Sequence, residues 1–431
     1  MAEAKRPRIV LIGIDAGTWD LLDPWMAQGL LPNLARLRDG GVYGNLQSTE
    51  VSSSPVLWTS IATGKVPDKT GVTWFVRFPN GLGNPVPVDR SSLKTSPLWR
   101  ILSRRRIDVA VLGWYVTFPA EEVDGRLLTD LAEFGQMPGS AYPETFLWDL
   151  APIPQGQAVA AMPRFMDYPY DPEKAVRKPG EPPSLDFLVF DRFVRAWTRD
   201  KFYLDAAERT LSEGPLPEAL FLYLRGTDDV QHGFWKFMDP GAFAPHSDAD
   251  GKSVEGTTIV PPDQVAAFGK VIPRYWQWID EGVGKVLSHY PASDPPLVII
   301  CSDHGAGPAV AENKVDVPEY MHLSGSHRPV GIFIANGPGI RHGGSRGIEL
   351  HGASVYDIAP TILHALTLPI GKDMDGHVLS SIFEDSVAQR PDETIDTWDT
   401  PGSGPPASPE VPAAIDDKIR EHLKSLGYIG Q

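Results

Sequence analysis

Five short apolar runs constrain this chain more than any other feature. They are Arg8–Ile14, Asp108–Gly113, Ala219–Leu224, Leu297–Ser302 and Val330–Ala335, and none alternates apolar with polar residues. A strand with one wet face alternates, so continuous runs of this length predict strands covered on both faces, as in a parallel sheet. Stretches with helical character separate them: Trp19–Arg38, Pro97–Arg105, Leu185–Leu211 and Gln264–His289. Strands alternating with helices predict a doubly wound α/β fold, a mainly parallel sheet between two layers of helices. A chain of 431 residues is long enough for one large domain of this kind with insertions.

Three regions break the alternation. Residues 80–97 and 135–183 are rich in Pro, Gly and aromatic residues, and residues 239–263 are acidic with Gly and Pro. Irregular insertions of this length often form lids or substrate walls, so they are expected to make a cap on a catalytic domain spanning residues 1–383. From Glu384 to Pro412 the chain is polar and Pro-rich, which reads as a linker. Ile415–Leu426 then reads as a short amphipathic helix ending at Gly427.

The net charge of −16 argues against the basic surface of a protein that grips nucleic-acid polymers. It does not exclude a small anionic substrate, because bound divalent cations reverse the field locally. The single cysteine, Cys301, cannot form an intrachain disulfide and lies within an apolar run, where it reads as a core residue. The apolar stretch Ile9–Ile14 is too short for a membrane span or a signal core. These features lead us to expect a cytoplasmic protein with no membrane span.

Ligands of open α/β sheets gather just beyond the carboxyl ends of strands. Asp15 directly follows the first run, and Asp303-His304-Gly305 follows the fourth in the same sense. Gly305 and Gly307 permit the sharp turn that would let an adjacent Asp and His face one ion. Asp228 and His232 follow the third run at a spacing of four, which places both on one face if a helix begins there. A carboxylate oxygen with an imidazole is a common ligand set for zinc, and manganese tolerates it. Asp229 should point away from that face, as a supporting or capping group. His327, before the fifth run, would supply a third ligand beside Asp228 and His232, with His322 as the alternative. His351 and His377 lie in polar loops and read as surface residues.

A nucleophile is sought in Ser52-Ser53-Ser54-Pro55-Val56-Leu57-Trp58-Thr59. Ser54 followed by Pro55 reads as a helix N-cap with proline at the first helical position. A hydroxyl there feels the positive end of the helix dipole, which favours an alkoxide and an approaching phosphate. Ser53 and Thr59 are rival hydroxyls.

Taken in order, these residues resemble the alkaline phosphatase superfamily, and within it the type I phosphodiesterase/nucleotide pyrophosphatase family. The likeness runs through Gly13-Ile14-Asp15, Ser54-Pro55-Val56-Leu57-Trp58-Thr59-Ser60 with Thr63-Gly64, Asp228 to His232, Asp303-His304-Gly305 and Gly325-Ser326-His327. It continues through Asn336-Gly337-Pro338-Gly339, Val355-Tyr356-Asp357-Ile358-Ala359-Pro360-Thr361 and Asp375-Gly376. The resemblance implies two divalent ions, usually zinc, with manganese an alternative. One would be held by Asp15, Ser54, Asp303 and His304, the other by Asp228, His232 and His327. It implies in-line attack by Ser54 on a small phosphate ester, a covalent phosphoserine and its hydrolysis. The same shell would serve a phosphomonoesterase or a phosphotransferase. A metal-stabilised binding protein without turnover fits a complete nucleophile and ligand set least well. Two departures stand out. Thr70 replaces the family's histidine in Pro67-Asp68-Lys69-Thr70-Gly71, and the family's asparagine for a phosphoryl oxygen has no clear match after Gly71.

Overall fold

A computed structural model describes residues 6–49, 53–78, 85–135, 137–176, 183–247, 257–310, 323–399, and positions 417 and 420. The strands used below are β1 (Ile9–Ile14), β2 (Val42–Gln47), β3 (Val109–Leu112), β4 (Gly125–Leu128), β5 (Ala141–Tyr142) and β6 (Ala219–Leu224). They continue with β7 (Leu297–Cys301), β8 (Gly305–Pro308), β9 (Gly325–Arg328), β10 (Val330–Asn336) and β11 (Ile348–Ser354). Nine of them form one sheet in the order β11-β2-β10-β7-β1-β6-β3-β4-β5, while β8 and β9 pair only with each other.

All five apolar runs are strands. β7, β1, β6 and β3 lie side by side and parallel at the centre of the sheet, each fully buried. The fifth run, β10, is antiparallel to both neighbours, β7 and β2. Burial on both faces yields the same apolar run whichever way a strand points, so composition carries no direction. β5 also runs against its neighbour β4, and the remaining pairings are parallel. The expected mainly parallel α/β sheet is therefore present.

Helices cover both faces. One layer holds α1 (Trp19–Ala27) and α2 (Pro32–Gly40), into which the stretch Trp19–Arg38 divides where Gly29 adopts a positive φ and Pro32 starts a new helix. On the opposite face lie α3 (Ser54–Thr63) and α4 (Leu98–Arg104). α5 (Arg195–Ser212), α6 (Gly226–Met238) and α7 (Val271–Ser288) join the first layer, and α8 (Ile358–Ala365) the second. β1 divides its side chains accordingly. Val10, Ile12 and Ile14 enter the first core, and Ile9 and Leu11 the second, following the two-residue period of a strand.

Part of the insertion at 135–183 is core rather than periphery, since Ala158, Met162, Phe165 and Met166 pack with Phe193 and Tyr275. The expected boundary at Glu384 shows no change in packing. Asp385–Ala388 is helical, Thr394–Ile395 pairs with Ile370–Gly371, and Trp398 is buried. The buried ammonium of Lys65 ties this segment down through Asp373 at 2.5 Å and Asp399 at 2.7 Å. The expected helix Ile415–Leu426 falls outside the described residues except for Asp417 and Arg420, and His322 falls outside them too. Among the described residues no helix is long and apolar enough to cross a membrane.

Candidate active site

The carboxyl ends of β1, β6 and β7 deliver Asp15, the start of α6, and Asp303-His304 to one place. Asp15 is fixed from three sides. Its backbone N–H donates to Leu224 O of β6 at 3.0 Å. The Thr227 hydroxyl of α6 donates to Asp15 O at 2.5 Å, and the Tyr223 hydroxyl donates to Asp15 Oδ2. Ala16 then takes a left-handed φ of 59°, and its carbonyl accepts from Gln231 Nε2 at 3.0 Å. The chain thus turns sharply away and leaves the Asp15 carboxylate at the sheet edge.

The first cluster is Asp15, Asp303 and His304, all fully buried, with ligand atoms within 4.8 Å of one another. His304 Nε2 lies 3.3 Å from Asp15 Oδ1 and 3.6 Å from Asp303 Oδ2. His304 Nδ1 faces Gly305 O at 3.0 Å. A carbonyl only accepts, so Nδ1 carries the proton and Nε2 presents its lone pair to the carboxylates. Asp15 Oδ1, both Asp303 oxygens and His304 Nε2 are buried without a hydrogen-bond partner. Burial, then Asp228, pushes Asp15 up from the ordinary range, and burial, then Asp15, pushes Asp303 well above it. Acceptor atoms facing each other in a dry site cost several kcal/mol unless a cation joins them, on the order of the penalty for buried unpaired ions.

The second cluster is Asp228, His232 and His327, again with ligand atoms within 4.8 Å. α6 begins at Gly226, so Asp228 and His232 share one face as their spacing predicts. His327 arrives on β9, paired across from Ala306 of β8. The two Nε2 atoms of His232 and His327 approach to 2.9 Å, and Asp228 Oδ1 lies 3.2 and 3.4 Å from them. His232 Nδ1 donates to Gly325 O at 2.8 Å, which leaves Nε2 as the ring atom aimed inward. Burial opposes ionisation of Asp228, but His232 and His327 outweigh it and hold the carboxyl well below its usual range. Burial, then His304, pushes His327 down to about 4, so it is neutral at pH 7 as a metal ligand must be. The His304 and His327 rings stack at 3.9 Å and form a common wall between the clusters.

Asp229 points away, as its place on the helix predicts. It pairs with Arg199 and, at 3.8 Å, with Arg192. His351 is exposed and takes no part.

Ser54 stands at the same edge. β2 runs parallel to the central strands, so α3, which follows it, begins at their carboxyl ends. Trp58, one turn beyond Ser54, fills the space a side chain at Gly13 would occupy, 2.3 Å from such a Cβ, and packs on Tyr223 at 4.6 Å. Ser53, not Ser54, is the N-cap, Ser54 is the first helical residue, and the Ser53 side chain makes no capping bond. A cap needs an acceptor aimed back at the helix N–H groups, and the buried Ser53 Oγ has no partner. The Thr59 hydroxyl is committed to Pro55 O at 2.6 Å inside the helix.

Sequence reading did not find Tyr223, Thr227, Gln231 or Asp200. Asp200 on α5 accepts from the backbone N–H groups of Arg225 and Gly226, at 3.1 and 2.9 Å, and from the Tyr275 hydroxyl at 2.9 Å, and so caps α6 from outside. Their only local signal is a polar group within or beside an apolar element.

The fold and the paired clusters define an alkaline-phosphatase-like α/β protein. Among solved structures, a 2-O GAG sulfatase aligns with a TM-score of 0.51 and 14% identity, over 88% of this chain and 74% of that one. Murine ectonucleotide pyrophosphatase/phosphodiesterase 5, an inactive variant in complex with AMP, aligns at 0.50 and 12%, over 88% of this chain and all of that one. At such identities the likeness is one of fold. A model of the type I phosphodiesterase/nucleotide pyrophosphatase family matches residues 9–361, and the chain belongs to that family. A 2,3-bisphosphoglycerate-independent phosphoglycerate mutase of Cereibacter sphaeroides is 27% identical over 120 residues. That match spans 27% of this chain and only 22% of the mutase.

Proposed function

We propose that this chain is a hydrolase of phosphoric ester bonds, a phosphodiesterase or nucleotide pyrophosphatase that acts on a small phosphate ester through a phosphoserine at Ser54. The observation that carries this reading is the pair of buried clusters, whose inward-facing acceptor atoms suit two divalent cations. Asp15, Asp303, His304 and Ser54 would hold one, and Asp228, His232 and His327 the other. Imidazole and carboxylate donors favour zinc and tolerate manganese. Two such ions would stabilise charge on the attacking and leaving oxygens.

The chain's own residues supply the rest. Ser54, at the positive end of α3, presents its Oγ to phosphorus; the Oγ–P bond forms as the bond to the leaving oxygen breaks in line, and the serine's proton passes by way of solvent to the leaving oxygen. Water then displaces Ser54 from the opposite side, releases the phosphate product and returns a proton to the serine. Tyr223 and Thr227 hold Asp15, while Gly325 O and Gly305 O fix the tautomers of His232 and His304. Ser54→Ala is expected to cut hydrolysis of bis(p-nitrophenyl) phosphate by ~10³-fold or more, with the fold intact. Thr59→Ala should stay within about tenfold of wild type, since that hydroxyl serves its own helix. A dead Thr59 variant beside an active Ser54 variant would make Thr59 the nucleophile.

The mutase match favours a second reading, transfer of the phosphoryl group to an alcohol instead of water. Assay of the monoester p-nitrophenyl phosphate in added glycerol separates the two, because transfer yields glycerol phosphate in place of inorganic phosphate.

A further inference from the structure

The ribbon of β8 and β9 carries His327, yet its sequence gives it little to pack with. β8 is Gly305-Ala306-Gly307-Pro308 and β9 is Gly325-Ser326-His327-Arg328. The pairs Gly305–Arg328, Ala306–His327, Gly307–Ser326 and Pro308–Gly325 join them, and neither strand enters the main sheet. A two-stranded ribbon this short is marginal on its backbone bonds alone. The start of β9 is docked on α6, where Ser324 N donates to His232 O at 2.7 Å and Ser324 Oγ to Gly233 O at 3.1 Å. Asp228 and His232 ride on that helix and His327 rides on the ribbon, so the second cluster keeps its geometry only if the ribbon keeps its place.

Arg328 spans the other end of β9. Its Nη1 donates to His327 O at 3.0 Å on its own strand, and its Nη2 donates to Pro308 O at 2.8 Å across the ribbon. The guanidinium lies over Gly307, where a Cβ would stand 2.6 Å from both Nε and Nη2. Gly307 is not among the residues with positive φ, so glycine supplies close approach there and not a left-handed turn. Successive side chains of a strand point to opposite faces, which puts Arg328 behind the ribbon from His327. One rigid planar fork thus pins a carbonyl on each strand, one of them the carbonyl of His327 itself.

Resting on the two-metal reading above, we propose that Arg328 is a positioning residue for His327. It acts through the backbone, by holding the ribbon so that the one ligand of the second cluster not carried by α6 stays within reach of Asp228 and His232. Displacing a ligand by a fraction of an ångström weakens a site without removing any donor from it.

The test is zinc binding by the full-length protein, stripped of metal and titrated in competition with a chromogenic chelator. Wild type should show two sites. Arg328→Gln is expected to weaken one of them by about tenfold or more and leave the other within about threefold. Arg328→Lys, which reaches one carbonyl at a time, should fall between. Gly307→Ala, which pushes the guanidinium aside without removing it, should reproduce the selective loss. In His232→Ala protein, where only the Asp15, Asp303 and His304 cluster is complete, adding Arg328→Gln should change the remaining affinity by less than about threefold. A merely structural role would lower both affinities together or neither, and either result overturns the proposal while leaving the two-metal reading in place. A folded wild type that binds no zinc overturns that reading and this inference with it. Should Arg328→Gln not fold, Gly307→Ala carries the test, and wild-type affinity at both of its sites overturns the role of Arg328.

Discussion

Tyr223 shows how much of this site depends on a residue that is not itself a ligand. Its hydroxyl is the hydrogen-bond donor on Asp15 Oδ2, and its ring carries Trp58 and Tyr115. Tyr223→Phe keeps the packing and removes the donor. Partners of this kind, which orient a ligand, are typically worth ~10–100-fold in metal affinity. Titration with a zinc chelator should therefore show one of two sites weakened by about that factor, with little change in thermal stability. Equal affinity at both sites would show that Asp15 is held by its backbone contacts alone. Asp15, Asp228, His232, Asp303 and His304 were legible in the sequence because strand ends and a spacing of four place them. Tyr223 was not, because a tyrosine inside an apolar run reads as core, and only tertiary contact shows where its hydroxyl points.

At the scale of the element, α6 is the part on which both clusters depend. It carries Asp228 and His232, and its Thr227 and Gln231 hold the Asp15–Ala16 turn. Its first turn is capped by Asp200 of α5, and Gly226 is required there, since a Cβ would lie 2.0 Å from the Tyr275 hydroxyl oxygen and 2.5 Å from Asp200 Oδ2. Burial pushes Asp200 up from 3.8 to about 6. A raised carboxyl pKa means the native state holds its proton longer than the unfolded chain. Its contribution is full below the unfolded value and is lost as pH rises through the folded one. Replacing Asp200 by Asn removes that titration. The unfolding free energy of Asp200→Asn relative to wild type should improve by about 2 kcal/mol between pH 4 and pH 7. A difference that does not vary with pH would mean that the capping bonds hold Asp200 ionised throughout. The helices themselves were legible from their apolar periodicity. Their breaks at Gly29 and between Phe268 and Val271 were blurred, and the capping of α6 from a distant helix left no local trace.

Across the whole molecule, a sheet of continuous apolar strands brings side chains from four distant parts of the chain to one edge. The parallel centre was readable because strands buried on both faces cannot alternate. The reversed direction of β10 and the half-exposed strand β2, with its Gly and Asn, were not readable, since each depends on what packs beside it. The segment Asp385–Asp399 is polar in composition yet fastened by Lys65 and Trp398, which a reading by composition assigns to a linker. All of this architecture converges on two acceptor-lined clusters, and elemental analysis of the purified protein tests their purpose most directly. Wild type should carry two divalent transition-metal ions per chain, and the His232→Ala variant should carry one while remaining folded. A folded wild-type protein that takes up no metal when dialysed against zinc, or a His232→Ala variant with the full complement, would contradict the two-metal site.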